Sequence, residues 1–296
     1  YTPAFRGRIS LAGRRRPSIQ LGFPASRNPM SEFMPKSTAP LAVICAMTEE
    51  KTALKEFMAV VETRELLGGV VTLGQLEGHD VVVAESGVGK VASAVTAALL
   101  AREFGCRGLV VSGVAGGLDP ALHIGDTVIA HSLVQHDYGH LHDAALTPFR
   151  PGVPPLGQHR RDYAFDLGPD LIARLTEIAK DIHLPDLPAD LWANATPPAD
   201  RRRRVLMGRI LSGDQFINSD AVRQRLHGEF AAQAVEMEGA AVAQVGALLG
   251  LPVVVVRCLS DLAGADSHFD FPRFVAAVAP GAATVLRRII RRAAVS

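Results

Sequence analysis

The chain has 296 residues, 48% hydrophobic and 21% charged, which suits one large α/β domain or two small ones around a sizeable core. A formal charge of +1 gives no reason to expect a nucleic-acid or membrane partner, and no apolar run approaches the length of a membrane span. Cys45, Cys106 and Cys258 show no C-x-x-C spacing and are odd in number, which argues against a disulfide framework and for a reducing compartment, expected to be the cytoplasm.

The first thirty residues differ in kind from the rest. Arg6, Arg8, Arg14, Arg15, Arg16 and Arg27 stand among Ser, Gly and Pro, and no acid appears before Glu32. Residues 1–38 are therefore expected to lie outside the fold as a disordered or spurious extension, with Met30 or Met34 as the true start; an organelle transit peptide is the alternative.

Regular patterning begins at Leu41. Leu41 to Ala46 is a continuous apolar run of buried-strand length, followed by Met47-Thr48-Glu49-Glu50 and a helix expected to reach about Val61. Glu50 has a structural use there, complementing the helix dipole, beside any chemical one. Gly68 to Ala84 reads as two strands around a Gly-His-Asp turn. The second opens into Glu85-Ser86-Gly87-Val88-Gly89-Lys90 and an Ala-rich helix to about Phe104. Backbone N–H groups in such a turn suit an anion or polar ligand. A P-loop is excluded, because Ala84 stands where its first Gly is required and Val91 where Ser or Thr must follow the Lys. Gly108 to Gly113 and Ile124 to His131 are further strands, separated by a Gly116-Gly117 turn. Strands alternating with helices at this spacing imply a mostly parallel, helix-covered sheet.

His136-Asp137-Tyr138-Gly139-His140-Leu141-His142-Asp143 crowds five possible metal ligands into eight positions. The spacing matches no structural zinc pattern and no thiolate is near, so a polar loop lining a pocket or an interface is the better reading and no metal is expected. From about residue 138 to 204 the chain reads as an extended loop carrying one helix, Leu167 to about Ile182. It ends in Arg201 to Arg204, read as part of a solvated, mobile segment, with an anionic partner as the alternative.

Val205 to Leu211 restores strand patterning, and Ser212 to Asn218 leads into a helix from about Asp220 to His227. Val235-Glu236-Met237-Glu238 is a short strand that delivers two carboxylates to its end and runs into a small-residue helix. Alternation puts Glu236 and Glu238 on one face and Met237 on the other. Such a pair either holds the helix N-terminus through its dipole or serves ligand chemistry, which open α/β folds place at the carboxyl edge of the sheet. Leu251 to Asp261, with four consecutive valines, is a central strand ending in Ser260-Asp261 at that same edge, and Phe271 to about Arg292 is a closing helix.

Glu50, Glu238 and Asp261 thus fall at element ends that a parallel sheet brings together. With Ser86, the Gly116-Gly117 turn and Phe216-Ile217, they suit an uncharged polyol carrying a flat ring. Paired carboxylates flanking a glycosidic bond are the usual apparatus of hydrolysis through an oxocarbenium-like transition state.

In Ala46-Met-Thr-Glu-Glu50, Ser86-Gly-Val-Gly-Lys90, Gly113-Val-Ala-Gly-Gly117, His136-Asp137, Ser212-Gly-Asp-Gln-Phe-Ile-Asn218, Val235-Glu-Met-Glu238 and Arg257-Cys-Leu-Ser-Asp261, the chain resembles the methylthioadenosine/S-adenosylhomocysteine nucleosidases of the nucleoside phosphorylase and nucleosidase superfamily. The resemblance implies one three-layer α/β/α domain over residues 39–296 with a central mixed, mostly parallel sheet. It implies hydrolysis of 5′-thioalkyl adenine nucleosides to adenine and the 5-thioribose, a homodimer and no cofactor. Carried over residue by residue, Glu50 activates the attacking water, with Ser86 beside it. Glu238 grips the ribose 2′- and 3′-hydroxyls, and Met237 packs under the sugar. Asp261, steadied by Ser260, donates to adenine N7. Phe216 stacks on the adenine, the Ile217 backbone reads its edge, and Gly117 joins the substrate-binding groups. Phe271 covers the 5′-thioalkyl group, with help from residues 151–156 of a neighbouring subunit.

The sequence departs from the family pattern at Cys45, where Gly is usual, at Thr48, where a third acid is usual, and in the longer segment after His136. The 5′-substituent therefore stays open between methylthioadenosine alone, both thioethers, and a deoxyadenosine- or futalosine-type substrate. Two rivals are a phosphorylase of the same fold, which needs a cationic phosphate pocket beside the glycine turns, and a non-catalytic nucleoside-binding protein, which has no need of both Glu50 and Asp261.

Overall fold

Leu41–Cys45 (β1) is buried at every residue and sends alternate side chains into two different cores. Leu41, Val43 and Cys45 enter one, and Ala42 and Ile44 the other. A strand apolar on both faces needs cover on both faces, which is the condition for a helix-flanked parallel sheet. The computed structural model that shows this describes residues 39–66, 68–143, 145–152, 163–192, 202–264 and 271–293. The 1–38 extension lies outside the described residues, as do 153–162 and 193–201 within the expected loop.

In chain order, β1 is followed by α1 (Thr48–Lys55), β2 (Ala59–Leu66), β3 (Gly69–Leu76), β4 (His79–Glu85), α2 (Lys90–Phe104), β5 (Gly108–Gly117) and β6 (Thr127–Gln135). Then come β7 (Gly139–His142), β8 (Ala145–Pro148), β9 (Phe165–Asp166) and α3 (Pro169–Lys180). The chain closes with β10 (Val205–Ser212), α4 (Asp220–Phe230), β11 (Ala234–Glu236), α5 (Gly239–Leu249), β12 (Val253–Asp261) and α6 (Phe271–Ala293).

The strand order is β11-β10-β6-β12-β5-β1-β4-β3-β2, with β9 added to β6. β4, β1, β5 and β12 are parallel neighbours, while β6 runs antiparallel to β12 and β2-β3-β4 form an antiparallel edge. The sheet is therefore mixed. β11 pairs in parallel with β10 and also antiparallel with β5, so β5, β12, β6, β10 and β11 close into a ring. Leu54 of α1, Leu171 and Leu175 of α3 and Val278 and Leu286 of α6 cover one face. Leu100 of α2 and Val242 of α5 cover the other. Each fully enclosed Val or Leu contributes roughly 1.5–3 kcal/mol, so these two cores hold the strand ends that carry the site.

Three expectations are corrected. The first helix ends at Lys55 rather than near Val61, because residues 59–66 form the edge strand β2. That strand is exposed along nearly its whole length, so no alternation of burial marks it in the sequence. The hairpin turn is Glu77-Gly78, both at positive φ, as a two-residue type I′ turn requires, and not Gly-His-Asp. The extended loop contains the β7–β8 hairpin, β9, α3 and a 3-10 turn at Ala189–Trp192. Its closing arginines, where described, are tied down. Arg203 Nε donates to Gly125 O at 2.8 Å, and the Arg204 amide donates to the buried Asp126 Oδ1 at 2.8 Å. A charge run reads as solvated only while its buried partner, here about eighty residues earlier, is unseen. Among the described residues no helix is long and apolar enough to cross a membrane.

Candidate active site

Because β1, β4, β5 and β12 run in parallel, their carboxyl ends share one edge, and the residues that follow them meet there. Glu50, in the first turn of α1, folds back on β1. Its Oε2 accepts from the Ala46 amide at 2.7 Å and the Met47 amide at 3.1 Å, and its Oε1 accepts from the Val114 amide of β5 at 2.8 Å. Glu50 thus does satisfy helix-start amides, but it does so almost completely buried. Burial pushes its carboxyl up from the ordinary range, and Arg257 with the three amides pulls back against that.

Arg257 is the group that sequence reasoning left without a role. It is fully buried within β12 and faces three carboxylates. Its Nη1 lies 3.7 Å from Glu50 Oε1, and its Nη2 contacts Glu236 Oε2 and, at 2.9 Å, Glu238 Oε2. A single arginine inside a four-valine strand was the available signal, since a buried cation requires buried anions. Gly113 of β5 makes room for this cluster: a Cβ there would overlap Glu50 Oε1 and Arg257 Nη1. Gly113→Ala is therefore expected to lose about 1–3 kcal/mol by overpacking, read as a lowered urea midpoint. An unchanged midpoint would contradict the close approach.

The two acids of the Glu-Met-Glu stretch divide their work. Glu236 accepts from the Gly239 amide at 2.8 and 3.0 Å and from the Glu238 amide at 3.1 Å, and it takes the Ser212 hydroxyl. Ser212 Oγ in turn accepts from the Ala240 amide at 2.7 Å. Glu236 is thus the anchor of the α5 N-terminus, the structural use of the pair. Glu238 turns instead to the glycine turn after β4, accepting from the Gly89 amide at 2.8 Å. Gly89 holds φ at +109°, a conformation that favours glycine. Burial pushes the Glu238 carboxyl up to about 7; Arg257 opposes the rise, and Glu236 and Glu50 add to it. Met237, between the two, is half-buried.

Ser260 and Asp261 sit at a bulge, where Leu259 pairs with Ala115 and Asp261 with Gly116, leaving Ser260 extra. A bulge re-aims side chains that strict alternation would separate. Ser260 Oγ donates to Asp261 Oδ2 at 2.9 Å, the Ala263 amide donates to Oδ1 at 2.8 Å, and both residues are buried. β5 is the common spine, since its Val114 amide holds Glu50 and its Gly116 faces Asp261. Gly117 is not in a turn: it ends β5 and pairs with Ala234 of β11. Ser86 lies just after β4, its amide bonded to Cys45 O at 2.8 Å and its hydroxyl to Gly87 O at 2.7 Å. Phe216 is 50% exposed and meets Phe271 edge-to-face at 5.5 Å, while Ile217 is buried beneath α4.

The histidine-rich segment does not gather. His136 is buried behind Gly213, Asp137 bonds Lys90 at 2.6 Å, and His140 and His142 are exposed on β7. Among the described residues no three His, Cys, Asp or Glu side chains converge as a metal-ligand set.

Residues 40–293 match the Phosphorylase superfamily. The chain belongs to that superfamily. Within it, the chain is 43% identical over 250 residues to the 5′-methylthioadenosine/S-adenosylhomocysteine nucleosidase of Mycobacterium bovis, covering 84% of this chain and 96% of that one. It is 34% identical over 260 residues to the enzyme of the same name from Treponema pallidum, covering 85% and 93%. Among solved structures it is similar to the nucleosidase from S. pneumoniae with the transition-state inhibitor MT-ImmA, at TM-score 0.68 and 28% identity over 85% of this chain and 98% of that one. It is equally similar to futalosine hydrolase of Helicobacter pylori, at TM-score 0.69 and 31% identity over 86% and 98%.

Proposed function

We propose that this superfamily member hydrolyses the N-glycosidic bond of methylthioadenosine and S-adenosylhomocysteine, releasing adenine and the 5-thioribose. The observation that carries the reading is the surplus of buried carboxylate around one arginine: Glu50, Glu236 and Glu238 against Arg257. Such a site favours positive charge developing on the ribose as the bond to adenine lengthens. In this reading Glu50 takes a proton from water as its oxygen bonds C1′. Asp261 gives a proton to adenine N7, so the electron pair of the broken bond leaves on a neutral base. Glu238 keeps free lone pairs beyond those used by Gly89 and Arg257 and accepts from the ribose hydroxyls. Phe216, with half its surface uncovered, offers the face on which a flat base stacks.

Two observations favour water over phosphate as acceptor. Arg257, beside Gly113, is held by three carboxylates, and Lys90, next to Gly89, is held by Asp137. Neither is left to receive a phosphate. The homodimer belongs to the same reading. Val88, Val91 and Val95 expose apolar surface beside the Ser86–Gly89 turn, which supports a partner subunit there. Most of the 151–156 segment expected from that partner lies outside the described residues.

The test is release of the free base from methylthioadenosine, S-adenosylhomocysteine, 5′-deoxyadenosine and futalosine, each with and without phosphate. Release of the free sugar at a rate indifferent to phosphate is expected. Acceleration by phosphate with a sugar 1-phosphate product would replace hydrolysis by phosphorolysis. Hydrolysis of a futalosine-type nucleoside is the second reading, supported by the similarity to futalosine hydrolase, and cleavage of futalosine alone among these substrates would establish it.

A further inference from the structure

Three loops that are far apart in sequence close on one another beside the carboxylate cluster. Lys90 Nζ donates to Asp137 Oδ1 at 2.6 Å and lies 3.7 Å from Asp214 Oδ2. The Asp214 amide donates to Asp137 Oδ2 at 2.8 Å, and Asp214 Oδ1 accepts from the Lys90 amide at 2.8 Å. The result is a closed ring joining the segments after β4, β6 and β10. Lys90 and Asp137 are largely buried and Asp214 is half exposed. Burial pulls the Asp137 carboxyl up, but the Lys90 ammonium and the Asp214 amide outweigh it and hold it below its ordinary range.

The ring sits between the two arms of the proposed substrate site. One residue before Lys90, the Gly89 amide fixes Glu238, the acid given to the ribose hydroxyls. Two and three residues after Asp214 come Phe216 and Ile217, given to the adenine. A Cβ on Gly89 would lie 3.3 Å from Asp214 Oδ1, so the two loops are already in tight contact. The base of the second loop is pinned as well, by the Gly213 amide on Glu236 O at 3.1 Å and by His136 packed behind Gly213.

We infer that Lys90, Asp137 and Asp214 form an ionic brace that sets the distance between the ribose-gripping turn and the adenine-stacking loop, and that they are positioning residues for substrate binding. The inference rests on the nucleosidase reading and deepens it. None of the three is assigned to the reacting atoms. Two binding arms held in register before the substrate arrives lower the ordering needed on binding, so the brace acts on affinity more than on the chemical step.

The test uses the full chain with methylthioadenosine as substrate. Lys90→Met and Asp137→Asn are each expected to raise KM about tenfold while kcat falls less than about threefold. The double variant is expected to match the worse single, because both remove the same interaction. Lys90→Arg, which keeps charge and donors, is expected to stay within about threefold of the parent KM. A brace that only supported folding would leave a smaller active fraction, seen as a lower kcat at unchanged KM with a lowered melting temperature. Should Asp137→Asn fail to fold, the half-exposed Asp214→Ala carries the same KM expectation. An unchanged KM in the singles, or KM effects that multiply in the double, overturns the brace. Absence of adenine release in the parent overturns the nucleosidase reading instead, and the brace is then judged by adenine affinity in the same variants.

Discussion

Asp261→Asn is expected to lower turnover of methylthioadenosine by about 10²–10⁴-fold, the span usual for loss of a positioned general acid. Adenine leaves as an anion unless N7 is protonated, and an amide has no comparable proton to give. The substitution is nearly isosteric. A carbonyl oxygen at the same place still accepts from Ser260 Oγ or from the Ala263 amide, so the bulge at the end of β12 has no reason to collapse. Turnover should therefore fall while the melting temperature and the affinity for adenine, read by calorimetry, stay close to the parent. Near-normal adenine release from this variant would remove Asp261 from the acid role.

The second large effect concerns stability. Arg257→Met keeps an unbranched side chain in β12 but removes the cation that Glu50, Glu236 and Glu238 share. Breaking a buried pair from one side typically costs about 3–5 kcal/mol, a fall in melting temperature on the order of 10 °C for a domain of this size. The sign of its pH dependence follows from the carboxylates. Glu50 and Glu238 already have raised pKa values in the folded protein, Glu238 about 7. A group raised on folding takes up a proton when the chain folds. Its favourable contribution is present below its unfolded pKa and is lost as pH rises through the folded value. Without Arg257 these acids rise further, so the deficit should be small near pH 5 and grow towards pH 8. The parent should show a shallower decline of the same sign between about 4.5 and 7. Thermal denaturation of both proteins across that range decides it; a deficit that does not vary with pH would show that the orphaned carboxylates find other partners.

The elements buried on both faces were legible from composition alone. Leu41 to Ala46, Gly108 to Val111 and the four valines before Arg257 are apolar at every step, and a helix-covered sheet satisfies such runs. Placing Glu50, Glu238 and Asp261 together needed nothing more than a shared carboxyl edge. β2 was not legible, because an exposed edge strand has no buried face to print a pattern. The split between Glu236 and Glu238 was not legible either. Alternation puts both on one face of a short strand, but β11 ends at Glu236 and Glu238 stands at the N-cap of α5, so the first takes the α5 amides and the second the Gly89 amide.

The sequence by itself thus determined the class of fold and the shared carboxyl edge at which its acids stand. Tertiary structure alone decided which charges pair: Arg257 with three glutamates, Lys90 with Asp137 and Asp214, Arg204 with Asp126. Burial pattern is a local property written along the chain with the period of its own secondary structure. Charge pairing depends on strand order and register, and these are set by contacts between segments far apart in sequence.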